Sequence, residues 1–173
     1  RYYNMYKAYL RPTPLQKPGI PIYIGGQTPK ARILAGTHGD GWINKITTPE
    51  LLKKELQEVY NAAKSVGRKP EDIKIIYASY GGIGKTYDEG LKNMEGPTRD
   101  VYVGKPYQVK RMGYVITREC EWWHGLRSWP RTKDEYEKYV AASKTVPIEA
   151  LKESAFIGTP DDWIGMIEKY IEA

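Results

Sequence analysis

The residues best suited to chemistry lie in one short run, Gly25-Gly26-Gln27-Thr28-Pro29. Adjacent glycines let a backbone approach a ligand closely, and Thr28 adds a hydroxyl. The run follows an apolar stretch and precedes a helical pattern, so it opens at a helix N-terminus. Backbone N–H groups there have no partner within the helix, and the positive end of the helix dipole lies beside them, which suits a phosphate. The same residues serve equally in a plain tight turn between a strand and a helix. Asn44 ends the next apolar run and Lys45 follows it. Both belong to the rim at the C-terminal ends of the strands, where α/β proteins hold their ligands. Lys45 either holds an anion there or is an ordinary solvated lysine. The turn Gly25-Gly26-Gln27-Thr28 is thus the candidate anion site, with Asn44 and Lys45 on the same rim. No residue presents itself as catalytic.

Other constellations carry less. Cys120 and His124 are spaced to share a helix face, but His38 is the only other histidine. A zinc site normally needs about four such ligands, or three and a water, so no metal is expected. A Cys-His nucleophile pair would lack a group to orient its base. Gly82-Ile83-Gly84-Lys85-Thr86 ends like a phosphate-binding loop, but the first glycine of that motif is not at its required place. Trp122, Trp123 and Trp129 read as packing residues rather than as a stacking platform for nucleic acid.

The elements that must position the turn can be read from periodicity. Ile20 to Gly26 is a β-branched and aromatic run ended by glycines, which predicts a buried strand with Pro21 at its start. Thr28 then caps a helix, Pro29 fills its first position and Gly36 is the expected stop. Gly41 to Asn44 predicts a second strand. Thr48 and Pro49 start a second helix, whose apolar face is Leu52, Leu56, Val59, Ala63 and Val66, with Gly67 ending it. Ile73 to Tyr80 predicts a third strand, closed by Gly81 and Gly82, with Ser79 to Gly82 completing the rim. Alternation of strand and helix is the signature of parallel βαβ units. Beyond Gly84 the regularity fails. Asp88 to Asn93, Thr132 to Lys144 and Ile148 to Ser154 suit helices, and Thr159-Pro160-Asp161-Asp162 caps a last one with Trp163, Ile167, Tyr170 and Ile171 on its apolar face. Between about Glu95 and Pro130 no clean period exists, and a span of about 95–145 is expected to be an insertion, in the manner of a lid. Three parallel strands do not close a barrel, whose core needs about eight.

Composition excludes several classes. Fifteen tyrosines and five tryptophans argue against disorder. The net charge of +6 suits either an anionic partner or simple solubility. The basic residues are spread along the chain, which speaks against nucleic acid. A lone Cys120 cannot make an internal disulfide, so a cytoplasmic location is expected. No run approaches the roughly 18 apolar residues of a membrane span. The chain starts at Arg1 without a signal-peptide pattern, and the expectation is that it begins mid-protein.

The run from Leu10 to Gly26, followed by Ala35-Gly36 and Asp40-Gly41-Trp42-Ile43, resembles the bacterial-luciferase-like superfamily of flavin-dependent monooxygenases and deazaflavin (coenzyme F420) dependent reductases. Val66 to Ile73 resembles that family's linker into its seventh strand, and Ile157 to Asp162 its late Val-Gly-Thr-Pro-Glu-Glu signature. The resemblance implies an α/β fold that is part of a (β/α)8 TIM-type barrel, with residues 1–173 as its C-terminal portion. The strands above would be the fifth to seventh, and strands one to four and eight would lie outside. It implies that Gly25, Gly26, Gln27 and Thr28 hold the phosphate of F420, or alternatively of FMN, and that Asn44 lies where the following strand passes the cofactor. In the sugar-phosphate dehydrogenase branch a lysine at an offset different from that of Lys45 binds the substrate phosphate. The Gly-Gly-x-x-Pro-Lys and Asp-Gly-Trp forms lean toward relatives of methylenetetrahydromethanopterin reductase. The implied chemistry is hydride transfer between the cofactor and an organic substrate, by an oxidoreductase inactive in this portion alone. Expected partners are the small-molecule substrate, the remainder of the barrel and further copies of the protein. A non-catalytic cofactor-binding subunit is the other alternative.

Overall fold

The computed structural model describes residues 4–9, 11–17, 19–115 and 130–173. Its first half is the anticipated βα repeat. Strand β1 (Tyr23–Gly25) leads into helix α1 (Pro29–His38), β2 (Gly41–Lys45) into α2 (Pro49–Ser65), and a 3-10 turn at Pro70–Asp72 into β3 (Lys74–Ala78). The three strands pair in the order β1-β2-β3, all parallel. Capping explains both helix starts. Thr28 Oγ1 accepts from Ala31 N at 3.3 Å and Thr48 Oγ1 from Leu51 N at 3.2 Å, each with proline behind it. Each cap satisfies one of the amides that the helix itself leaves without a partner.

Several boundaries differ from expectation. The β1 ladder is shorter than Ile20–Gly26, because Ile22 is held by Asp40, whose carboxylate takes the Ile22 amide at 2.7 Å. Gly36 does not stop α1. The helix continues to His38, and Gly36 is the point where α1 lies on α2: a Cβ there would come within 2.3 Å of the Val59 carbonyl oxygen. Val66 does not join the apolar face of α2, since it is the capping residue and 52% exposed.

The third strand is broken rather than continuous to Tyr80. β3 ends at Ala78, and Gly81–Ile83 forms β4, which starts a second sheet. The break has a partner: Tyr80 O accepts the Phe156 amide at 2.9 Å, and Ser79 Oγ donates to Tyr80 O and Ser154 O. β4 pairs in parallel with β5 (Phe156–Gly158), a strand that sequence periodicity did not separate from the helix after it. Between them lie α3 (Tyr87–Val103), α4 (Pro106–Arg111), α5 (Lys133–Ser143) and α6 (Ile148–Ser154), and α7 (Pro160–Ile171) follows β5. Residues 95–111 are thus mostly helical. The buried stripe Met94, Thr98 and Tyr102 was hidden in the sequence by Gly96 and Pro97 inside α3.

Two cores result. One packs Trp42 of β2 among Ala35, Leu52, Leu56, Val59, Ala63 and Ile73, which is the sheet-to-helix layer. The other packs Tyr102 of α3, Val109 of α4, Val146, and Leu151 of α6 against Ile46 just past β2. Side chains alternate across a strand, so Ile24, Trp42, Asn44, Ile75 and Tyr77 share the helix side of the sheet. Tyr23, Ile43, Lys45 and Ile76 share the other side, on which Ile76 is 41% exposed.

Candidate functional site

The turn from Gly25 to Thr28 sits where the strand order and the helix cap place it, at the C-terminal end of β1 and the N-terminus of α1. It is not packed shut. Gly25 is exposed, and a Cβ placed on it would meet nothing within 4 Å. Gly26 has φ of 127°, a conformation that L side chains rarely adopt, so glycine is required there.

The carbonyls of the turn are drawn inward. Trp42 Nε1 donates to Gly26 O at 2.8 Å. Gln27 O accepts from Arg32 NH1 and, at 3.5 Å, from the Tyr107 hydroxyl. In a trans peptide the C=O and the following N–H point in opposite directions. Anchoring these two carbonyls in the interior therefore turns the amides of Gln27 and Thr28 outward. Among the described residues no acceptor takes the N–H of Gln27 or Thr28. The first turn of α1 holds no acid. The result is a pair of free donors on the positive end of a helix, the kind of geometry an anion suits.

Behind the turn lies a buried ionic cluster that motif reading missed. Glu55 of α2 accepts hydrogen bonds from Arg32 NH1 at 2.8 Å and Asn44 Nδ2 at 3.0 Å, and it forms an ion pair without a hydrogen bond with Arg111 NH1 at 3.2 Å. Burial pushes the Glu55 carboxyl above the usual range, opposed by the charges of Arg111 and Arg32 and by the Asn44 amide. Burial likewise lowers Arg111, against the pull of Glu55. A mutual ion pair is the arrangement that keeps such charges tolerable in the interior. A signal for the cluster exists in the sequence: Glu55 interrupts the apolar face formed by Leu52, Leu56 and Val59. Charged residues on a core-facing stripe are rarely unpaired.

The sequence candidates separate into groups. Gly25, Gly26 and Thr28 form the outward face of the turn. Gln27 contributes its amide there, but it is 4% exposed and its side chain turns inward, where Oε1 accepts from Gln108 Nε2 at 3.1 Å. Asn44 has no exposed surface. Its side chain lies on the helix side of the sheet, with Nδ2 on Glu55 and Oδ1 on the Lys45 amide at 2.7 Å. It supports the turn through the cluster instead of facing the mouth. Lys45 is on the opposite side of β2, and burial followed by the nearby charge of Lys105 lowers its ammonium below the usual lysine range. Next to it Ile46 holds φ of 51°, a strained setting for a β-branched residue. Ser79 and Tyr80 hold the junction between the sheets. Cys120 and His124 lie outside the described residues. Among the described residues no three His, Cys, Asp or Glu side chains gather as metal ligands, and no helix is long and apolar enough to cross a membrane.

The model of a known family, luciferase-like monooxygenase, matches residues 1–173. The chain belongs to that family. Among solved structures, this luciferase-like chain is similar to an F420-dependent secondary alcohol dehydrogenase in complex with an F420-acetone adduct. The TM-score is 0.70 at 21% identity, over 99% of this chain and 45% of that one. It is also similar to the coenzyme F420 dependent tetrahydromethanopterin reductase from Methanopyrus kandleri, with a TM-score of 0.65 at 22% identity, over 88% of this chain and 42% of that one. The luciferase-like chain thus has the α/β fold of these proteins and spans less than half of their length.

Proposed function

We propose that this chain supplies the phosphate-gripping part of a cofactor site in a luciferase-like oxidoreductase, with coenzyme F420 as the cofactor. The observation that carries the proposal is the pair of free amides at Gln27 and Thr28, aimed outward by the anchoring of the Gly26 and Gln27 carbonyls. A phosphate monoester or diester fits these donors, and the absence of an acid in the first turn of α1 leaves it unopposed. The cofactor, when bound, would exchange a hydride with an organic substrate at its central ring. The residues of this chain would bind and orient it. F420 is favoured over FMN by the forms Gly25-Gly26-x-x-Pro29-Lys30 and Asp40-Gly41-Trp42 and by the F420 dependence of the two similar structures. The monooxygenase description of the family favours FMN as the second reading.

Lys45, with Lys105 close by, is proposed to face an anionic group of the substrate, which would relieve the repulsion between the two ammonium groups. Residues 95–145 are proposed to cover the site, and the remainder of the barrel and further copies of the protein are the proposed partners. The test is a pair of substitutions at one glycine. Gly26→Asp is expected to weaken F420 or FMN binding at least about a hundredfold, roughly 3 kcal/mol. Gly26→Ala, which carries the backbone strain without the charge, is expected to weaken it less. Titration of cofactor fluorescence measures both, and equal affinities for wild type and Gly26→Asp would refute the placement.

A further inference from the structure

The free amides of the turn owe their direction to two anchors of different origin. Gly26 O is fixed by Trp42, which belongs to the same sheet as the turn. Gln27 is fixed from both sides. Arg32 of α1 takes its carbonyl, and α4, more than seventy residues away in the chain, supplies the rest. The Tyr107 hydroxyl donates to Gln27 O at 3.5 Å, and Gln108 Nε2 donates to Gln27 Oε1 at 3.1 Å. One helical turn on from these residues, Arg111 enters the ion cluster on Glu55 at 3.2 Å and lies over the Tyr107 ring at 5.8 Å from its centroid. α4 therefore docks on the turn by its side chains and on α2 by a buried charge. Val109, between these contacts, is fully buried in the core that also holds Tyr102 and Leu151, which ties α4 to that core.

We propose that Gln108 and Tyr107 are positioning residues of the phosphate site: they hold Gln27 so that the Gln27 and Thr28 amides stay directed at the anion, and they make affinity for the phosphate end of the cofactor depend on docking of the insertion. This rests on the reading that the turn binds that phosphate. Ordering the peptide before the ligand arrives removes an entropic cost from binding. One neutral hydrogen bond to the pivot is expected to be worth about five- to tenfold in affinity.

The experiment titrates the purified protein with FMN and riboflavin, and with F420 and its phosphate-free deazaflavin riboside. The wild type is expected to prefer the phosphate-bearing member of the pair it binds. In Gln108→Leu that member loses about five- to tenfold and the phosphate-free one is unchanged, so the preference shrinks by the same factor. Gln108→Glu, whose carboxylate accepts from Gln27 Nε2 after the amide rotates, restores the preference. The double variant Gln27→Leu with Gln108→Leu is no weaker than Gln27→Leu alone. Wild-type preference for the phosphate form that persists undiminished in Gln108→Leu overturns the positioning role and leaves the site intact. An equal loss for both members of the pair also overturns it, because general damage does not distinguish the two ends of the ligand. Equal affinity of the wild type for both members, or affinity for neither, overturns the site and the positioning role together.

Discussion

Two turns in this molecule are built from the same parts and end in opposite states. At residues 25–31 a strand passes through glycine to Thr28, Pro29, Lys30 and Ala31, and at residues 158–162 another passes through glycine to Thr159, Pro160, Asp161 and Asp162. Each threonine caps its helix, each proline takes the first helical position, and both Gly26 and Gly158 have positive φ. The second turn satisfies itself. Asp162 Oδ2 takes both the Thr159 amide and its hydroxyl at 2.8 Å, and the Asp162 amide returns to Thr159 Oγ1 at 3.3 Å. The first turn has alanine where the second has that aspartate, and one extra residue, Gln27, whose side chain goes inward. A glycine bend and a Thr-Pro cap do not make an anion site. What separates the two is whether a carboxylate from the chain already occupies the donors.

That contrast can be strained experimentally. The open turn leans on the ion cluster behind it, and the closed turn leans only on itself. Glu55→Leu, which leaves Arg111 buried without a counter-charge and Arg32 with Glu58 alone at 2.9 Å, is expected to cost about 3–5 kcal/mol of folding stability in urea titration. A cost near zero would mean that the cluster is not what holds α1, α2 and α4 together. Ala31→Asp copies the closed turn into the open one. The new carboxylate takes the Thr28 amide, and phosphate-cofactor affinity is expected to fall about a hundredfold, roughly 3 kcal/mol, with the melting temperature unchanged or higher. If binding survives at the wild-type level, the two turns do not differ in the way described. Thr159→Ala removes the closed turn's cap and should cost about 1 kcal/mol with no change in cofactor affinity, read by the same two measurements. The smallest effect concerns acid. The Thr159 amide and hydroxyl hold the Asp162 carboxyl below the usual aspartate range. Its contribution to stability is therefore present above the ordinary aspartate pKa of about 3.9 and lost as pH falls through the lower folded value. Asp162→Asn should flatten the acid limb of the stability curve, and an unaltered limb would show that the box is not formed in solution.

How far all this was legible follows from the same physics. The βα repeat could be read because caps, glycines and apolar periods agree locally: Thr28, Thr48 and Thr159 each cap the helix their position predicts. The parallel direction of the strands followed from the length of the crossovers. The α3 stripe was lost because Gly96 and Pro97 interrupt its composition, and β5 because a three-residue strand, Phe156–Gly158, has too few residues to show alternation. At the site, the glycines and the capping threonine could be named from sequence. The side to which Asn44 points could not, since it depends on strand register with Trp42 as the reference. The roles of Gln108 and Arg111 are non-local: their partners, Gln27 and Glu55, are far away in the chain, and no local pattern announces such a contact.

The Trp42 indole is fully buried and its N–H rests on the Gly26 carbonyl at 2.8 Å. Indole emission responds to that hydrogen bond, so the molecule carries an intrinsic optical gauge wired to the backbone of the open turn. Trp163, which donates to Gly82 O at 3.3 Å beside the closed turn, is the internal reference. Replacing Trp42 or Trp163 singly with phenylalanine, and subtracting the emission of the four tryptophans that remain, would tell which of the two follows the cofactor as it arrives.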